Sequence, residues 1–108
     1  MSEYIEQVSF VNWFRAKYPQ YTMFHIPNGE LRSPFVGAKL KRMGVLPGVP
    51  DLYVIELKLA IEMKTKKGRL SNDQQRIKEC FEKSGHAFIT AFGFKDGVEK
   101  VIKFIGRI

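Results

Sequence analysis

A chain of 108 residues with 44% apolar composition supports one domain with a modest core, residues 1–108 as a single unit, and is too short for two. The net charge of +7, from 18 Lys and Arg against 11 Asp and Glu, points to a polyanionic partner, most simply nucleic acid, although a basic balance also serves solubility. No apolar run reaches the length of a transmembrane helix, and the polar start MSEYIEQ is unlike a signal peptide. The single cysteine, Cys80, excludes an internal disulfide and a zinc ribbon, and suits a reducing cytoplasm.

In chain order, Ser2 caps a helix over residues 2–17, with Gln7, Val11, Phe14 and Tyr18 at helical spacing and Pro19 as its stop. Glu3 and Gln7 stand one above the other on that helix, at the rim of its apolar stripe. Residues 21–26, YTMFHI, read as a strand ended by Pro27 and the Asn28-Gly29 turn. A short helix over 35–43 closes at Gly44, and Val45 to Pro50 is a constrained loop. Residues 51–55 and 59–65 read as two strands. Ser71 caps a further helix whose buried stripe is Ile77, Cys80 and Phe81, closed by Ser84 and Gly85. His86 to Phe92 is a near-continuous apolar run, as expected of a strand buried on both faces. Asp96 caps a last helix carrying Val98, Val101, Ile102 and Ile105. The result is a mixed α/β domain, in which residues 59–92 form a right-handed parallel crossover.

The chemistry concentrates between Gly48 and Gln75. On a strand, Glu62 and Lys64 share one face and Ile61 and Met63 the other. If residues 51–55 and 59–65 make a hairpin, Asp51 comes opposite or diagonal to Glu62 on the charged face. Two carboxylates that close repel unless a cation lies between them, and an oxygen-only pair favours a hard divalent ion, Mg²⁺ or Mn²⁺. Lys64 then stands beside a scissile phosphate or its attacking water, and Glu3 is within reach as a further ligand. Glu56 and Lys58 repeat the Glu-x-Lys spacing, but too near Asp51 for a ladder to form; they belong to a loose hairpin tip. Taken singly, Asp51 after a proline is an ordinary turn residue, Glu62-x-Lys64 a solvated strand face, and Ser71 with Gln74 a capping box. His25 alone is more often packed than ligating. The candidate DNA contacts are Lys39, Lys41, Arg42, Lys66, Lys67 and Arg69, which flank the acids, together with Asn28 and Arg32.

Read together, GVPDL, IEMK and GRLSNDQ resemble the VRR-Nuc family of the PD-(D/E)xK nuclease superfamily. EYIEQVSFVNWFRAKYP is similar to that family's opening helix, and HIPNGELR to the segment that follows it. The resemblance covers nearly the whole chain. It implies a restriction-endonuclease-like core, α-β-β-β-α-β with a mixed central sheet, and a Mg²⁺- or Mn²⁺-dependent endodeoxyribonuclease. Asp51, Glu62, Glu3 and the Met63 main-chain carbonyl would hold metal, and Lys64 would be the catalytic lysine. Gln7 and Gln74 would line the site, with Glu6 the alternative to Glu3 if the helix register slips by a turn. Stand-alone members of this size resemble phage or mobile-element proteins, homodimeric resolvases of branched DNA in the host cytoplasm, with four-way (Holliday) junctions as the expected substrate. The competing expectations are a flap-cutting or restriction-like nuclease and an inactive DNA-binding module. The connection from Asp51 to Glu62 is shorter than in many relatives.

Overall fold

The computed structural model describes residues 2–27 and 33–108; Asn28 and Arg32 lie outside the described residues. Helix α1 (Glu3–Lys17) opens where Ser2 Oγ accepts a hydrogen bond from Ile5 N at 3.2 Å. Its acids lie in the first turn and its bases, Arg15 and Lys17, in the last, the arrangement that complements the helix dipole. Strand β1 (Met23–His25) is followed by helix α2 (Pro34–Arg42), and strands β2 (Leu52–Val54) and β3 (Leu59–Lys64) by helix α3 (Asn72–Lys83). Strand β4 (Ala87–Phe92) and helix α4 (Phe94–Ile105) complete the chain.

The strands form one four-stranded sheet in the order β1-β2-β3-β4. The first two neighbours are antiparallel and β3 runs parallel to β4, as the 59–92 crossover requires. Alternation of side chains then builds two layers. Met23, Leu52, Val54, Leu59, Ile61, Met63 and Ala91 pack with Phe10 and Phe14 of α1 and Val101 of α4. Burying Phe10 and Phe14 completely stabilises by about 1.5–3 kcal/mol each. Gly97 lets α4 approach closely, since a Cβ there would come within 2.9 Å of Ala91 Cβ. On the opposite face, Phe24, Tyr53, Ala60 and Phe88 lie in one cross-strand row, and Phe81 of α3 packs on Tyr53 and Phe88.

Three expectations change. Cys80 is exposed; α3 buries Ile77 and half-buries Phe81, a narrower stripe than the helical spacing predicts. β4 is not buried on both faces: of its residues only Ala91 is fully buried, because β4 is an edge strand. Asp96 does not cap α4. The cap position is Gly93, with φ +93° and no side chain, and Glu6 of α1 supplies the acceptor for Phe94 N. Asp96 instead accepts from Phe92 N at 2.9 Å, while Lys100, paired with Asp96 at 2.8 Å, donates to Thr90 O. Both main-chain groups point out of the sheet, since the neighbouring bonds to β3 run from Ala87 N and Gly93 N. This ion pair therefore covers an otherwise open edge. Among the described residues no helix is long and apolar enough to cross a membrane.

Candidate active site

The β2–β3 hairpin sets the centre of the site. Leu52 pairs with Ile61, and one step further that register puts Asp51 opposite Glu62 and Pro50 opposite Met63. Asp51 Oδ2 accepts from Met63 N at 2.8 Å. The main-chain groups of Met63 face β2, because the alternate positions Lys58 and Lys64 give their carbonyls to β4. Across from Met63, Pro50 has no N–H with which to bond the Met63 carbonyl. One proline thus breaks the ladder at the step where a carboxylate and a carbonyl both turn towards the site.

Glu62 is only 3% exposed. Its Oε2 accepts from Gln74 Nε2 at 2.6 Å, and Lys64 Nζ lies 3.8 Å from the same oxygen. Its Oε1 is buried without a hydrogen-bond partner among the described residues. Burial, and after it the neighbouring Asp51 carboxylate, pushes the Glu62 carboxyl up from its ordinary 4.5 to about 8; Lys64 opposes the shift and Glu3 adds to it. Glu3 is therefore placed where its charge acts on Glu62. Glu6, the other acid of the first turn, is committed to Phe94 N.

Gln74 has two attachments. Its Oε1 accepts from Ser71 N at 2.8 Å and its N–H donates to Ser71 Oγ at 3.1 Å, a complete capping box. The same amide's Nε2 holds Glu62. The helix end that carries Gln74 rests on Gly48, where φ is +92° and a Cβ would come within 2.6 Å of the Asp73 carbonyl. That contact joins the loop before Asp51 to the helix that holds Glu62.

Gln7 Nε2 lies 3.1 Å from His25 Nδ1, and His25 Nδ1 lies 2.8 Å from Asp51 O. That single nitrogen donates to Asp51 O in one tautomer or accepts from Gln7 Nε2 in the other, so the histidine read from the sequence as packed stands beside the Asp51 main chain. Thr90 carries no signal of a site in the sequence. It sits in register beside Glu62 on β4, with its Oγ1 buried and without a partner among the described residues. It stands inside an apolar run, and the β4 register brings it beside Glu62. Lys39, Lys41 and Arg42 are exposed at the end of α2, and Lys66, Lys67 and Arg69 on the loop after β3.

Among the described residues no three His, Cys, Asp or Glu side chains converge as a metal cluster. The oxygen donors that come together are the Asp51–Glu62 pair, with the Met63 carbonyl beside it. That set fits Mg²⁺ or Mn²⁺, ions bound through one or two carboxylates and completed by water. A buried carboxylate oxygen with no partner, in a pair whose mutual repulsion raises a pKa, is what such a cation would relieve.

No protein-family model matches the sequence, and no curated protein matches it. Among solved structures, the chain is similar to a protein described as "VRR_NUC domain protein", with a TM-score of 0.79 and 24% identity over 98% of this chain and 89% of that one. The chain therefore has the restriction-endonuclease-like α/β fold of a VRR_NUC domain.

Proposed function

We propose that the chain is a VRR-Nuc family nuclease, a Mg²⁺- or Mn²⁺-dependent endonuclease that hydrolyses phosphodiester bonds in branched DNA. The observation that carries this reading is the pair Asp51 and Glu62, held opposite each other beside Lys64 with one buried Glu62 oxygen unpartnered.

When bound, the divalent ion would polarise the scissile phosphate and lower the pKa of a water. Asp51, Glu62 and the Met63 carbonyl would hold it, with Glu3 reaching it directly or through water. Met63 N fixes one oxygen of Asp51 and leaves the other for this task. Gln74 fixes the rotamer of Glu62. At 3.8 Å from Glu62, the Lys64 ammonium is not locked into a short pair. It can turn to the phosphate oxygens on which negative charge builds, or hold the attacking water. The water oxygen gives up a proton to solvent and bonds to phosphorus as one ester P–O bond breaks, and the leaving oxygen takes up a proton from solvent, so that none is gained or lost overall. Lys39, Lys41, Arg42, Lys66, Lys67 and Arg69 would track the phosphate backbone. Paired cuts at a four-way junction require two such sites, which a two-fold homodimer would supply.

The test is cleavage of a labelled four-way junction, a flap and a linear duplex in Mg²⁺ or Mn²⁺, with EDTA as control and gel filtration for the dimer. Faster cutting of the branched substrates is expected. Asp51→Asn should abolish cleavage while DNA binding survives. If the wild-type chain cuts none of these substrates in either metal but still binds them, it is a DNA-binding module instead.

A further inference from the structure

Helix α2 buries none of its residues. Its half-buried positions are Gly37 and Leu40, and another side of the helix carries a shallow cleft lined by Phe35, Ala38, Lys39, Arg42 and Met43. Phe35 is 79% exposed and Met43 74%. Residues four and seven after Phe35, on the same helical face, are Lys39 and Arg42. The helix carries three cations, Lys39, Lys41 and Arg42, and no acid.

This composition discriminates between occupants. A second copy packing the same face across a two-fold axis would set Lys39 and Arg42 against their own equivalents, a like-charge juxtaposition that costs several kcal/mol. An exposed aromatic ring with two cations four and seven residues further along the same face instead suits a polyanion with exposed bases. The ring offers a stacking surface to any base, and the cations beyond it meet the phosphates that lead away from that base. Duplex DNA keeps its bases stacked and presents only its backbone to such a surface, so Phe35 would find no partner there. The loop that follows α2 leads through Gly48 to Asp51, which places this surface upstream of the cleavage centre on one continuous segment.

We infer that the outward face of α2 is a platform for unpaired nucleotides of branched DNA, with Phe35 stacking a base and Lys39 and Arg42 holding adjacent phosphates. The inference rests on the nuclease reading for its substrate but is tested by binding alone. The full chain is titrated in EDTA, where no cutting occurs, against a duplex and against a flap carrying 2-aminopurine in its unpaired arm. Phe35→Ala should weaken flap binding about 10-fold or more, abolish the fluorescence change, and leave duplex binding within about twofold. Phe35→Trp should restore both flap signals. Lys39→Gln with Arg42→Gln should weaken binding to both DNAs and reduce the slope of log affinity against log salt by about 1.5. The platform is overturned if Phe35→Ala leaves flap affinity and fluorescence unchanged. It is equally overturned if sedimentation shows that Phe35→Ala turns a dimer into a monomer, since a second copy is then the occupant. A wild-type chain that binds the flap through Phe35 yet cuts nothing in Mn²⁺ removes the nuclease reading and leaves the platform standing.

Discussion

The chain contains the triplet Glu-x-Lys twice, at Glu56–Lys58 and Glu62–Lys64, and the two copies have opposite surroundings. Glu56 lies at the exposed hairpin tip, where Lys58 takes a positive φ of 47°. Its carboxylate accepts from Thr22 N at 2.6 Å and Thr22 Oγ1 at 2.7 Å, and these bonds hold its pKa below the usual carboxylate range. Glu62 is buried next to another acid, and its pKa is raised. The first carboxylate is satisfied and solvated, so it pins the tip of one hairpin to the start of β1. The second is paired with a like charge and left with an idle oxygen. Local spacing is identical; depth in the sheet and the position of Asp51 set the two copies apart.

The contrast is broken most sharply by substitution. Glu62→Gln is expected to reduce metal-dependent cleavage by a factor on the order of 10²–10³ or more, as is Lys64→Ala, whereas Glu56→Gln and Lys58→Ala should stay within about twofold of the parent. A junction assay in Mn²⁺ reads all four; loss of activity in Glu56→Gln with Glu62→Gln active would exchange the two assignments. Next in size is Gly48→Ala. Positive φ and the 2.6 Å approach to Asp73 make a side chain there both strained and crowded, with an expected loss of about 2–5 kcal/mol in urea unfolding. Activity should fall with it, because Gln74 loses its fixed distance from Asp51.

The pH dependence of the two copies differs in sign. In the metal-free protein the folded state holds a proton on Glu62 more tightly than the unfolded state does. The resulting contribution is fully favourable below the ordinary value of 4.5, declines as pH rises, and is lost by about pH 8. Melting in EDTA across that window should show stability falling with pH, and Glu62→Gln should remove that component. Bound Mn²⁺ should flatten the curve, because the cation replaces the proton. For Glu56 the pKa is lowered, so its smaller contribution is present above its ordinary value and fades as pH falls through the folded value. An acid-side loss of Tm that disappears in Glu56→Gln is the weakest of these effects.

Much of this arrangement is legible in the sequence because it depends on short-range rules. A hairpin between 51–55 and 59–65 brings Asp51 and Glu62 together by register alone, and Ser71 and Gln74 declare a capping box by spacing. What escaped depends on partners distant in sequence. Asp96 has the chemistry of a helix cap, but Glu6 from the other end of the chain takes that position, and nothing near residue 96 announces it. Cys80 has the right helical phase to be buried, yet phase does not tell how wide a stripe of a helix its neighbours cover. Thr90 and His25 acquire their places only once strand order is known, since a Thr in an apolar run or a lone His before a proline carries no signal of a neighbouring carboxylate. Phe10, fully buried, is as apolar as the exposed Phe35; only tertiary contacts separate them.

The bond from Glu6 to Phe94 N has a mechanical consequence. Glu3 and Glu6 stand three residues apart in the first turn of one helix, so α1 cannot roll about its axis to move Glu3 relative to Glu62 without also pulling Glu6 from the start of α4. The two glutamates act as an indexing pair: the outer one is set by where the inner one is latched. Any partner that rotates α1 would therefore change the charge felt at Glu62 and loosen α4 in the same movement.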